Sequence, residues 1–288
     1  QQIVGRCNRV VNEQNPIVDA RLADGSRVNA VIAPIALDGP ILTIRQFPDE
    51  PITMEKLIRA GSISAEAAEY LRVLVAAGYS MIIGGGTSAG KTTFLNALSN
   101  AIPKDERIIT IEDNAELQIQ GIGNLVRLEA KNANTDGGKS ITIRDCIKSA
   151  LRMRPDRIIV GEVRSSEALD MLQAFNTGHD GSLCTIHANS CADMISRLEV
   201  MTIMGVSLPL EAIRGQIASG ADVLVHLGRL RDRSRRVLEI AEVIGMRDGQ
   251  VELNTLYRFD DAEGVFRKTG RLKNTLKLER RGLTLPEY

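Results

Sequence analysis

The chain has 288 residues with 36 Lys plus Arg and 36 Asp plus Glu, so its formal net charge is zero. That balance argues against a protein whose main partner is bulk nucleic acid or an anionic membrane surface. The length favours two domains, the apolar fraction suits a full core, and no apolar run approaches a bilayer span.

No secretory signal is visible, and the first residue is Gln. Cys7, Cys146, Cys184 and Cys191 show no C-x-x-C spacing, and His179, His187 and His226 are scattered. No zinc pattern emerges, and isolated cysteines suit a reducing, cytoplasmic setting.

In chain order, residues 16–47 look β-rich. Ile17 to Leu22 alternates, Asp24-Gly25 is a hairpin signal, and Val28 to Ile32 and Ile41 to Arg45 continue the pattern. This predicts a small β-rich N-terminal domain over 1–47, then a linker over 48–62 holding one short helix near Met54 to Ala60. Ser64 caps a helix reaching Ala77, with Ala67, Tyr70, Leu71 and Leu74 at helical spacing. Strands are then expected near 79–84, 107–112, 124–129, 157–162, 182–187 and 222–228. Helices are expected near 92–101, 141–152, 165–177, 190–204 and 209–219. Such alternation predicts an α/β domain over 63–288 with a mostly parallel sheet covered on both faces. Asp248-Gly249 joins two β-like runs into a C-terminal hairpin.

The run Gly85-Gly86-Thr87-Ser88-Ala89-Gly90-Lys91-Thr92-Thr93 matches G-x-x-x-x-G-K-[ST], and it falls between a predicted strand and a predicted helix. Glycines turn backbone N–H groups toward an anion, and the helix start adds partial positive charge. In this reading Lys91 reaches the β- and γ-phosphates of ATP, and the Thr92 hydroxyl holds Mg²⁺. Three further strand ends carry chemistry. Asp156 to Glu162 is an apolar strand ending in Glu162, which arrives beside the γ-phosphate as the group that polarises water. Gly161 stands where an acid on the Mg²⁺ side is usual, so Mg²⁺ rests on Thr92 and water. Ile108 to Asp113 ends in two acids, of which Glu112 is the candidate catalytic group or ligand of Mg²⁺ water. The strand Ser182 to Ile186 leads to His187, a candidate γ-phosphate contact.

In this order the four segments resemble the type II/type IV secretion ATPases. They are the phosphate loop, the acidic Thr110-Ile111-Glu112-Asp113, Ile158 to Arg164, and Thr185-Ile186-His187-Ala188-Asn189-Ser190. The stretches Val18 to Ile32 and Arg152-Met153-Arg154-Pro155-Asp156 look like the tight-adherence (Tad/Flp, CpaF-type) branch. The resemblance spans roughly 15–270, and departs at Ser88-Ala89, where many members have Gly-Ser. It implies a RecA-like motor domain, a sensor-like N-terminal domain and a homohexameric ring. It also implies ATP-driven pilus assembly or retraction on platform proteins, at the cytoplasmic face of the bacterial inner membrane. Membrane association is then peripheral, through those partners.

Family arginines close over the nucleotide from the N-terminal side. Arg45 is the matching candidate here, with Arg21 and Arg27 as weaker ones. Arg144, Lys148 and Arg152 share one helix face and read as a solvated stripe. Arg229, Arg231, Arg233, Arg235 and Arg236 surround Asp232 without aromatics, which does not make a nucleic-acid surface. Two other classes share the phosphate loop: a RecA-like nucleic-acid motor, and a nucleotide-gated regulator that scarcely turns over ATP.

Overall fold

A computed structural model describes residues 2–5, 10–46, 50–131, 139–260 and 262–286. The chain divides into two compact units, Gln1–Pro51 and Ile52–Tyr288. The first holds a helical turn α1 (Gln2–Gly5) and strands β1 (Ile17–Arg21), β2 (Arg27–Val31) and β3 (Ile41–Arg45). They form one antiparallel sheet in the order β1-β2-β3. Its small core is Val11 and Ala30, with Val18 and Ile32 packed beside them.

The second unit opens with α2 (Met54–Arg59) and α3 (Ala65–Ala77). Met54, Leu57 and Ile58 pack on this unit's core, so residues 54–59, expected within a linker, fold onto the second unit for the apolar face they bury. Positions 48–49, where the linker was expected to begin, lie outside the described residues, as do Phe47 and Cys7. Ser64 accepts from Ala67 N at the start of α3, and Gly78 closes it at φ 90°.

After α3 come β4 (Met81–Gly85), α4 (Lys91–Ser99), β5 (Arg107–Glu112), β6 (Asn124–Glu129), α5 (Ile143–Ala150) and β7 (Arg157–Val163). They are followed by α6 (Glu167–Asn176), β8 (Leu183–Ile186), α7 (Cys191–Gly205), α8 (Leu210–Gly220) and β9 (Val223–Arg229). Strands β10 (Arg235–Arg247), β11 (Gln250–Asp260) and β12 (Val265–Lys268) and helix α9 (Leu276–Arg281) complete the unit.

All nine strands join one sheet, ordered β12-β11-β10-β9-β4-β8-β7-β5-β6. The pairs from β9 to β6 are parallel, and those from β9 to β12 are antiparallel. Every residue of β4 is buried, as expected for a parallel strand covered on both faces. One core includes Leu71, Leu74, Phe94 and Leu98 of α3 and α4, and the other includes Ile147, Met171, Leu198 and Ile217 of α5 to α8. Because the strands run parallel, the ends of β4, β5, β7 and β8 reach the same edge of the sheet.

Of the expected solvated stripe, Lys148 and Arg152 are exposed, Arg152 lies past the end of α5, and Arg144 is half-buried. Arg144 Nε donates to Asp170 Oδ2 of α6 at 2.7 Å, and Lys148 Nζ lies 4.0 Å from Oδ1. Asp170 is buried, and a buried carboxylate requires such partners.

Candidate active site

Strand β4 ends at Gly85, and the chain turns through Gly86 to Ala89 before α4 begins. Ser88 takes a positive φ of 61° and Gly90 one of 93°, so the turn uses left-handed backbone at two points. Gly90 is the N-cap of α4 and supplies no side-chain acceptor, which leaves the first-turn N–H groups to serve an anion. Gly86, Thr87 and Ser88 are exposed, Thr92 and Thr93 are half-buried, and Lys91 is buried. Lys91 Nζ donates to Gly85 O and Gly86 O, both at 3.1 Å. Burial holds its ammonium below the usual lysine range, against the opposing pull of Glu162.

Two other strand ends meet this lysine. Glu162 Oε1 lies 3.8 Å from Lys91 Nζ and 2.7 Å from His187 Nε2. His187 Nδ1 is 3.4 Å from Lys91 Nζ. An ammonium can only donate and a carboxylate can only accept, so the ring is assigned the proton on Nε2, with Nδ1 accepting. Desolvation lowers the imidazole pKa, Glu162 opposes that, and Lys91 and Arg164 add to it, which agrees with a neutral ring.

Glu112 sits deeper. Oε1 accepts from Glu116 N at 2.8 Å and Leu117 N at 2.9 Å, tying down the loop after β5. Oε2 is buried and has no hydrogen-bond partner. Burial raises the carboxyl to about 7, although the two backbone donors pull it down. A Cβ on Gly161 would stand 2.9 Å from Glu112 Cγ. The missing side chain of Gly161 thus makes room for an acid from the neighbouring strand, which accounts for the glycine beside Glu162. The donors present are hard oxygens: the Thr92 hydroxyl and an unpartnered carboxylate oxygen. They suit Mg²⁺, which binds through one or two protein oxygens and keeps several waters. Among the described residues no group of three or more His, Cys, Asp and Glu forms a metal cage on its own.

Arg45 belongs to the first unit. It pairs in register with Arg27 of β2, and Arg27 pairs with Arg21 of β1. Directly opposed residues in antiparallel strands share a face, so the three candidate arginines form one row across the sheet. Like charges placed opposite one another destabilise a sheet.

Two neighbours of the site appear in the sequence only as the end of the Ile158 to Arg164 segment and as one of the arginines around Asp232, and neither was given a role at the site. Arg164 Nε donates to Glu162 Oε2 at 2.6 Å, a contact that its place two positions after the acid does not announce. Arg235 brings its Cδ within 3.5 Å of where a Cβ on Gly90 would lie, through the β9–β10 pairing that no local pattern announces.

A glycine turn, a buried lysine, two acids and a histidine on one edge of a parallel sheet form a layout able to bind and act on a nucleoside polyphosphate. Residues 2–263 match the family model described as type II/IV secretion system protein. A Mycobacterium tuberculosis protein named for conjugal transfer is 38% identical over 266 residues, covering 90% of this chain and 75% of the relative. The type IV secretion system protein PtlH of Bordetella pertussis is 33% identical over 260 residues, covering 81% of this chain and 77% of its own. The solved VirB11 ATPase of the Brucella suis type IV secretion system, in complex with sulphate, aligns with a TM-score of 0.55 at 29% identity. That alignment covers 83% of this chain and 80% of VirB11. The chain belongs to the type II/IV secretion system family of ATPases.

Proposed function

We propose that the chain hydrolyses ATP as one subunit of a homohexameric motor. The motor drives assembly of a tight-adherence (Tad/Flp-type) pilus or a related secretion system, docked on platform proteins at the cytoplasmic face of the bacterial inner membrane. The observation that carries the reading is the meeting of Lys91, Glu162 and His187, with separations of 2.7, 3.4 and 3.8 Å, at the strand edge beside the glycine turn. Kinship to a VirB11 ATPase supports it, and the tight-adherence assignment rests on the stretches 18–32 and 152–156.

In this reading the nucleotide phosphates take over the Lys91 bonds now made to Gly85 O and Gly86 O. The N–H groups from Thr87 to Thr93 surround them. Thr92 and the open oxygen of Glu112 would hold Mg²⁺, which would offset the phosphate charge. Glu162 accepts the proton of the attacking water, and neutral His187 contacts the γ-phosphate. The arginine row, Arg45 foremost, closes over the phosphates from the N-terminal domain. Catalysis is then positioning and charge neutralisation.

Glu162→Gln is the direct test. ATP binding and assembly should persist, while turnover falls about 10²-fold or more, as for a lost general base. Wild-type turnover in this variant would sink the assignment of Glu162. The assembly mass with a non-hydrolysable ATP analogue should be six chains. DNA- or RNA-stimulated turnover would point to the nucleic-acid motor instead, and tight binding without turnover to the regulator.

A further inference from the structure

Glu162 is held by both of its oxygens. Oε1 faces Lys91 and accepts from His187 Nε2 at 2.7 Å. Oε2 accepts from Arg164 Nε at 2.6 Å, and Nη2 of the same guanidinium donates to it as well. Arg164 is itself anchored on two sides. Its backbone N donates to Glu167 Oε1 at 2.7 Å, at the start of α6, and its Nη1 lies 3.4 Å from Asp113 Oδ2, one residue past the end of β5. The guanidinium thus spans the ends of two neighbouring strands, β5 and β7, one carrying Glu112 and the other Glu162.

A glutamate on three rotatable bonds offers either oxygen to solvent, in many orientations. A general base works only when one lone pair faces the water. A planar guanidinium can fix a carboxylate in a way that a single ammonium cannot. We propose that Arg164 is a positioning residue for hydrolysis: it pins Oε2 of Glu162, so that Oε1, on the Lys91 and His187 side, is the oxygen that takes the proton of water. This rests on the reading of Glu162 as the base. The Arg164 side chain is 60% exposed, so its ion pairs add little to stability and its removal leaves the fold intact.

The experiment is a double-mutant cycle on the full chain with ATP, combining steady-state and single-turnover kinetics with nucleotide affinity and a thermal melt. Arg164→Ala and Arg164→Gln should lower kcat roughly 10- to 100-fold, the scale of a misplaced catalytic group, with KM and ATP affinity unchanged. Arg164→Lys should recover part of the loss. In the Glu162→Gln background, Arg164→Ala should add no further loss, because the two residues act as a unit. Wild-type kcat in Arg164→Ala, a change confined to KM, or an equal loss in both backgrounds would each overturn the proposal. If Glu162→Gln abolishes turnover while Arg164→Ala keeps it, only the proposal falls. If Glu162→Gln turns over normally, the reading of the base falls and takes the proposal with it.

Discussion

Gly161 and Glu112 are fitted to one another. A side chain at 161 would stand 2.9 Å from Glu112 Cγ and 3.4 Å from its Oε1. Gly161→Ala should therefore displace the Glu112 carboxylate and lower kcat more than ATP affinity, and parallel turnover and binding measurements would check this split. The same carboxyl makes stability depend on pH. Burial raises it from an ordinary 4.5 to about 7 in the folded chain, so between those values the folded state binds more protons than the unfolded state. Stability then falls as pH rises from about 4.5 to 7 and levels off above, by on the order of 3 kcal/mol. Denaturant titrations across that range, without divalent cations, should show the fall in the native chain and lose it in Glu112→Gln. Lys91→Ala should abolish tight nucleotide binding, since the ammonium is the charge placed to meet the phosphates; near-native affinity would remove this loop from the site.

At the scale of elements, the C-terminal segment hangs on one buried acid. Glu242 of β10 is 1% exposed and accepts from Lys273 N, Asn274 N and Asn254 Nδ2. Tyr79 OH donates to Asn274 O at 2.6 Å, and Lys277 Nζ donates to Asp222 Oδ2 at the same distance. These bonds place α9 against the second unit. Glu242→Ala removes a buried acceptor from part-buried donors and should cost about 1–3 kcal/mol in chemical denaturation. Early loss of the tail in hydrogen exchange would locate the damage. Elements of this kind were the hardest to foresee. Strand β12 has four mostly exposed residues and no apolar alternation, and it exists because Val265 to Lys268 pair with Tyr257 to Asp260. Strands β4, β5 and β7, by contrast, were legible as short runs with a largely apolar centre. Helix α3 was legible because its cap, its apolar spacing and its closing glycine are all local.

At the scale of the whole molecule, a motor must couple its nucleotide to movement of its parts. A ligand shifts such an equilibrium only through contacts that differ between states. Arg45, Arg27 and Arg21 share a row on the first unit, whereas Lys91, Glu162 and His187 belong to the second. Arg45→Ala should weaken ATP-driven closure and turnover while the second unit stays folded and Lys91-dependent binding partly survives. Melting temperature, affinity and turnover measured together would decide, and unchanged turnover would pass the role to Arg21 or Arg27.

The sequence by itself determined the alternation of strand, loop and helix. It also determined the glycine turn before a helix, and the acids and histidine at strand ends. These are read from spacing and residue type over ten or so positions, where backbone sterics and apolar periodicity act locally. Only the tertiary structure decided which strands are neighbours, and with that which side chains meet. Glu112 lies against Gly161, Arg164 grips Glu162, Lys91 faces His187, and Arg235 packs beside Gly90. Three of these pairs join residues 49 to 145 positions apart, too far for any local pattern to register, and they are brought together by the order in which the sheet buries its strands.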